Sequence, residues 1–282
     1  MTYVGRAALS RYTARVEAHK LTRWIEPVLL GALFGALAVA ERRRPLRRRE
    51  NPGARRIGRN LALGVAAAGA VGLLERPVVA PLARMVAQRS WGLIPRLPLG
   101  DAAKAALCVV LLDYSLYLWH VLLHRVPLLW RCHRPHHADL DLDVTTALRF
   151  HVSELALSVP WRALQVVVIG VPPRTLSLWQ ALTLAEVMFH HSNVRLPVRV
   201  ESVLCRLIAT PRLHGIHHSV IDAERSSNYS SGFTVWDLLH GTARLDVHQQ
   251  AIVVGLPDLR DRSQVTLART LVMPGEDPGA VL

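Results

Sequence analysis

Eight of the fourteen histidines fall into three tight clusters, His120 with His124, His133 with His136 and His137, and His214 with His217 and His218. The spacings are HxxxH, HxxHH and HxxHH. Imidazole is the commonest nitrogen ligand for iron, copper and zinc, and so many ring nitrogens beside long apolar segments read as a multi-metal centre at a membrane surface. Residues four apart on a helix lie one above the other, so His120 and His124 can direct their rings at one ion. In each HxxHH two rings converge while the third reaches a neighbouring ion. His190 and His191, followed by Ser192-Asn193, end an apolar segment and should bring at least one further ring to the same basin.

Other polar residues are weighed by the same chemistry. Asp113 sits inside an apolar segment on the stripe of His120, which marks it as a carboxylate that orients a ligand imidazole through its other N–H. Asn193, Asn228 and Asp237 are expected to support the ligands from behind. His151 is either an outer ligand or a surface hydrogen-bonding group, and Glu186 either adds a carboxylate ligand or joins a buried polar network. His19, His240 and His248 have no partner at ligand spacing and read as structural. No GxSxG elbow, Walker loop or GxGxxG is present, so hydrolysis by a catalytic triad and phosphate-cradling chemistry have no anchor.

Apolar segments at 24–40, 61–74, 102–119, 155–171 and 176–189 must position these groups. Each is at or below the ~20 residues that a spanning helix needs. With Glu41 to Asn60 on the cytoplasmic side, the second segment leads out, the third returns with the first two clusters, and the Pro172-Pro173 turn makes a hairpin that brings His190 back. One topology therefore gathers every cluster on one face. The stretch 75–101, with prolines at 77, 81, 95 and 98, reads as a loop or interfacial helix on the far side. The expected fold is all-α: a polytopic membrane bundle of about four to five membrane-embedded helices under a cytoplasmic, His-rich metal-binding cap. Three parts are expected, 1–104 with the first membrane helices and the arginine loop, 105–245 with the catalytic chemistry, and 246–282 as a soluble flank.

Composition agrees with a membrane protein: 282 residues, 51% hydrophobic, with a mean hydropathy of +0.23. The net charge of +13 is concentrated at arginines 42–44, 47–49, 55, 56 and 59, the positive-inside signal of a cytoplasmic loop with anionic lipid headgroups as partner. Without a zinc knuckle, an RNP-like motif or a basic stripe with interleaved aromatics, nucleic acid is excluded as a partner. Cys108, Cys132 and Cys205 imply no disulfide framework. Residues 1–23 carry five basic side chains and no apolar core, which reads as a cytoplasmic or interfacial leader rather than a cleaved signal peptide.

The run Asp113-Tyr114-Ser115-Leu116-Tyr117-Leu118-Trp119-His120, then His124, Leu129-Trp130-Arg131-Cys132-His133 and His136-His137, resembles the fatty acid hydroxylase superfamily, also called the sterol desaturase family. So do His191-Ser192-Asn193, Thr210-Pro211-Arg212-Leu213-His214 with His217-His218, Asn228-Tyr229, and Trp236-Asp237 with Gly241-Thr242. The resemblance covers about residues 105–245. It implies an integral membrane enzyme, in a bacterium one of the inner membrane, whose two iron ions and O2 as co-substrate hydroxylate or desaturate a C–H bond of a membrane lipid. The implied ligands are His120, His124, His133, His136, His137, His214, His217 and His218, with His190 or His191. Two departures stand out: Glu186 replaces a histidine that some relatives carry, and His240 stands where an aromatic residue is usual. No haem motif is fused to the chain, so a separate reductase, ferredoxin or cytochrome must supply electrons. Sterol, fatty acyl, alkyl ether, sphingoid and carotenoid substrates are all compatible. The competing readings are a non-redox membrane metal-binding or transport protein, and a zinc-loaded lipid-binding relative without turnover.

Overall fold

The computed structural model describes residues 25–276; the expected leader and His19 lie outside the described residues. Helix α1 covers 25–43. It is followed by α2 (Ala54–Ala70), a π-helical turn (Val71–Glu75), α3 (Arg76–Arg89), α4 (Asp101–Arg125) and α5 (Pro127–His137). Then come α6 (Val152–Gln165) with a second π-helical turn (Val166–Gly170), α7 (Pro173–His191), α8 (Val198–Leu204), α9 (Pro211–His217), α10 (Asp222–Arg225), α11 (Val235–His240) and α12 (Leu267–Val272). The described residues contain no strand; isolated bridges pair Pro45 with Val194, Ile208 with Phe233 and Ser219 with Val254. The all-α expectation is met.

Three helical runs, Ala54–Arg96, Asp101–Arg125 and Val152–Gly170, are long and apolar enough to cross a membrane. Of the two readings of 75–101, loop or interfacial helix, the helical one describes Arg76–Arg89, which continues the run from α2, and only the turn at 90–100 is loop-like. The helix runs unbroken from α2 through the π-helical turn into α3, with Pro77 just after that turn and Pro81 inside α3. Val79, Ala83 and Val86 of α3 pack with Cys108 and Leu112 of α4, Val166 and Ile169 after α6, and Leu176 and Trp179 of α7. The outward faces keep large apolar side chains exposed, among them Val65, Leu73, Leu164, Val168, Leu178 and Leu182. Such surface suits lipid rather than water.

A polar cap closes one end. Residues 138–149 carry Asp139, Asp141 and Asp143, and the arginine loop binds to them. Arg56 donates to Asp139 at 2.7 and 2.8 Å and to Asp143 at 2.5 Å, Asn60 donates to Asp139 at 3.0 Å, and the backbone of Glu50 and Asn51 donates to Asp141. Burial alone would push Asp139 up, but Arg56, Arg149 and Arg59 hold its carboxyl below the usual carboxylate range. Arg47 is buried too, donating to Gln249 at 2.7 Å and to the Pro211 carbonyl at 3.1 Å. Assigning the whole arginine loop to lipid headgroups is thus corrected: Arg47, Arg56 and Arg59 are internal partners, while Arg42, Arg43, Arg44, Arg48 and Arg55 remain exposed. The stretch 246–276, expected as a flank, packs Leu256, Leu259, Val265 and Met273 against Ala138 and Leu140 beside α5.

Candidate metal centre

Five histidines from three helices form one group: His120 and His124 at the end of α4, His133 and His137 of α5, and His217 of α9. Four form a second: His136 of α5, His191 at the end of α7, and His214 and His218 of α9 and its C-terminal cap. Within each group the nitrogens lie within 4.8 Å of one another. The two HxxHH motifs divide in opposite senses. On α5 the i, i+4 pair serves the first group and the middle ring the second; on α9 the i, i+4 pair serves the second and the middle ring the first. The groups abut, with the His137 and His218 rings stacked at 4.3 Å.

Local sequence explains the placement. Val126 leaves α4 in an extended conformation and Pro127 starts α5 at once, so the chain reverses and lays α5 across the α4 terminus. Thr210 caps α9, accepting from the Leu213 N–H, and itself donates to Glu201 at 2.5 Å.

The segment 227–231 runs beside the rings and presents alternate carbonyls to them. His217 donates from Nδ1 to Ser227 O at 2.8 Å, His120 to Tyr229 O at 2.7 Å and His190 to Ser231 O at 3.1 Å. His191 donates in the same way to Val187 O at 2.7 Å. Each such bond fixes the tautomer and leaves Nε2 a bare lone pair. The Nε2 atoms of His120, His124, His133, His137 and His217 are buried with no hydrogen-bond partner among the described residues. In the second group Nε2 of His191 lies 3.0 Å from those of His136 and His214, and His214 3.0 Å from His218. Burial, reinforced by neighbouring histidines, holds His136, His137, His214, His217 and His218 well below the ordinary imidazole pKa. Neutral imidazoles with converging, unsatisfied lone pairs are what a metal ion requires and what a dry protein interior otherwise penalises. The residues fit two ions.

The remaining expectations fall as follows. His190 stands outside both groups, its ring 4.0 Å from that of His214. His151 caps α6, with Nδ1 on Ser153 at 2.7 Å and Nε2 on Leu271 O at 3.1 Å, and is no ligand in either group. Asp113 does not touch an imidazole: its carboxylate accepts from the Phe233 N–H at 3.0 Å and the Trp236 indole at 2.7 Å. Glu186 lies beside it, and a Cβ at Gly232 would overlap both carboxylates. Asp237 accepts from the N–H groups of Tyr229 and Ser230 at 2.8 and 2.9 Å, so it holds the segment that orients His120. Asn228, in a left-handed conformation with φ 51°, ties that segment to Leu213 O and Arg244 O. Asn193 pairs with the Arg47 backbone at 2.9 Å in both directions, joining the α7 end to the arginine loop. His240 stacks on Tyr114 and Tyr117, away from the clusters. Reasoning from side chains alone missed the carbonyl row; the only trace of it in the chain is the run Ser226-Ser227-Asn228-Tyr229-Ser230-Ser231, rich in residues that favour loop backbone.

Above the rings lies a cavity of about 400 Å³, lined by His120, His133, His136, His190, His191 and His214 on one side and by apolar side chains of α4, α6 and α7. Residues 105–242 match the fatty acid hydroxylase family. The chain belongs to the fatty acid hydroxylase superfamily. Among the curated proteins this member is 31% identical to an ornithine lipid hydroxylase of Rhizobium tropici over 141 residues, 50% of this chain and 42% of that protein. It is 26% identical to the alkylglycerol monooxygenase of Homo sapiens over 144 residues, 51% of this chain and 31% of the relative. To the cholesterol 25-hydroxylase of Rattus norvegicus it is 26% identical over 195 residues, 66% and 63% of the two chains. In each case less than two thirds of the relative's length is covered. No solved structure matches.

Proposed function

We propose that this superfamily member is an integral membrane di-iron oxygenase that uses O2 to hydroxylate a C–H bond of a lipid. The observation that carries the reading is the pair of adjoining histidine groups whose bare nitrogens open onto an apolar cavity. Two bound irons would supply the oxidising power that an unactivated C–H bond demands and that no acid, base or nucleophile provides. The chain's own part is to hold neutral imidazoles through backbone carbonyls, to keep the centre dry, and to lay an alkyl segment across His120, His136 and His190. Electrons come from a separate reductase, ferredoxin or cytochrome. The relatives, two hydroxylases and a monooxygenase, support hydroxylation ahead of desaturation.

Five imidazoles in one group exceed the tetrahedral set that zinc prefers, which favours iron over the zinc-loaded, inactive alternative. The exposed Arg42 and Arg43 end α1, and Arg44 and Arg48 lie on the loop that follows and binds Asn193 and Pro211, hence on the face of the metal centre; by the positive-inside rule that face is cytoplasmic.

The purified full chain is expected to carry about two irons per polypeptide, and membranes containing it with a reductase system to yield lipids heavier by one oxygen. His136→Ala and His217→Ala, one from each group, should lose both metal and product. Full product formation by a metal-free variant would overturn the proposal.

A further inference from the structure

The cavity has a second polar region. Glu75, in the π-helical turn after α2, is buried at 7% exposure and accepts from Gln180 Nε2 of α7 at 3.0 Å. Arg162 of α6 places Nε 4.0 Å from the same carboxylate, donates from Nη1 to Gln165 at 2.7 Å and lies 4.4 Å over the ring of Trp179. Both charges sit inside runs apolar enough to cross a membrane, where ionisable groups are costly and mark function.

Three donors there have no partner among the described residues: Arg162 Nε, Trp179 Nε1 and Thr183 Oγ1. All three residues line the cavity, as do Glu75 and Gln180, and Trp179 is only 2% exposed. A buried donor without an acceptor loses its hydration for no return, so a group that supplies acceptor lone pairs here is favoured. Distances along the helices set its separation from the metals. Arg162 follows Glu154, which lies 3.1 Å from His133, by eight positions, or ~12 Å. Thr183 and Gln180 precede His190 by seven and ten positions, or ~10 to 15 Å.

Charge decides the ligand class. Glu75, with Glu26 also lining the cavity, disfavours an anion; a cation has no lone pair for the unpartnered N–H and O–H groups, and a bare alkyl terminus leaves them unsatisfied as well. A hydroxyl both accepts from Arg162, Trp179 or Thr183 and donates to Glu75. Building on the function proposed above, we infer that Glu75, Arg162, Trp179, Gln180 and Thr183 form a subsite for the hydroxyl of a neutral lipid alcohol, whose oxidised carbon lies ~10 to 15 Å away over the histidines. The subsite measures the substrate from its polar end and so selects both the lipid and the position attacked.

The test is binding to the full chain in detergent, read by thermal stabilisation and by lipid retained through gel filtration. Cholesterol is compared with its 3-methyl ether, and 1-hexadecanol with 1-methoxyhexadecane, so that the sterol and straight-chain sources of the hydroxyl are separated. In at least one pair the alcohol is expected to bind about tenfold or more tightly than its ether. Replacing Glu75 and Arg162 together by leucine, which strands no charge, and separately Thr183→Val, should bring that ratio toward one without loss of metal. Equal binding of alcohol and ether, failure of both alcohols to bind, or a ratio unchanged in both variants would overturn the inference. Binding is read without turnover, so a failure of the oxygenase reading shows instead in iron content and product mass.

Discussion

Each imidazole of the two groups has two nitrogens, and the chain has to decide which one faces inward. For His120, His191 and His217 that choice is made by a backbone carbonyl, which cannot be mutated away but can be displaced. Asp237 is the residue that prevents displacement, through two backbone N–H groups and the Thr242 hydroxyl at 2.7 Å. Asp237→Ala is therefore expected to lower metal affinity or activity about 10- to 100-fold, the usual cost of losing a partner behind a metal ligand, while the protein stays helical. Iron titration of the purified variant beside its circular dichroism checks both halves. Unchanged affinity would mean that the 227–231 segment holds its shape by other means.

Elements deliver the rings only if their ends meet closely. At the end opposite the metal centre, the turn containing Gly92 packs backbone to backbone against Gly170, which ends the π-helical turn after α6. Gly92 has φ 96° and Gly170 φ 89°, and a Cβ on Gly170 would overlap the Pro95 ring and the Trp91 carbonyl. Leu93 N donates to Val168 O across the same junction at 2.9 Å. Gly170→Ala combines a left-handed conformation with an overlap, each worth about 1 to 3 kcal/mol. A lower melting temperature in detergent is the expected result, with iron bound normally by the fraction that folds; a variant as stable as the parent would show that the turn can move.

At the scale of the molecule the asymmetry is between two ends. Helix α4 is 25 residues long, or ~37 Å, so the turn at Leu97–Gly100 and the rings of His120 and His124 lie toward opposite sides of a bilayer of ~30 Å core. Arg48 is exposed on the loop that embraces the metal cap, and Leu99 is 43% exposed on the other turn. In a Cys205→Ser background, Arg48→Cys is expected to react with an impermeant maleimide only after the cytoplasmic face is opened, and Leu99→Cys in intact cells. The reverse pattern would place the histidines on the outer face.

Histidine spacing by itself determined much of the centre, because i, i+3 and i+4 on a helix fix which rings can converge, and the rings of each HxxHH do divide between two groups. The apolar runs likewise announced helices. What spacing could not supply was any contact between distant residues. The opposite division of the two HxxHH motifs, the place of His191 in a group and His190 outside both, the row of carbonyls at 227, 229 and 231, and the engagement of Asp113 with Trp236 rather than a histidine are decided by how helices cross. The arginines show the same limit: a run of like charge looks solvated in one dimension, yet Arg56 is buried because Asp139 and Asp143, more than eighty residues away, compensate the loss of water. Glu75 and Arg162 pass unnoticed in the chain for that reason as well, since only packing places the two charges side by side in a cavity.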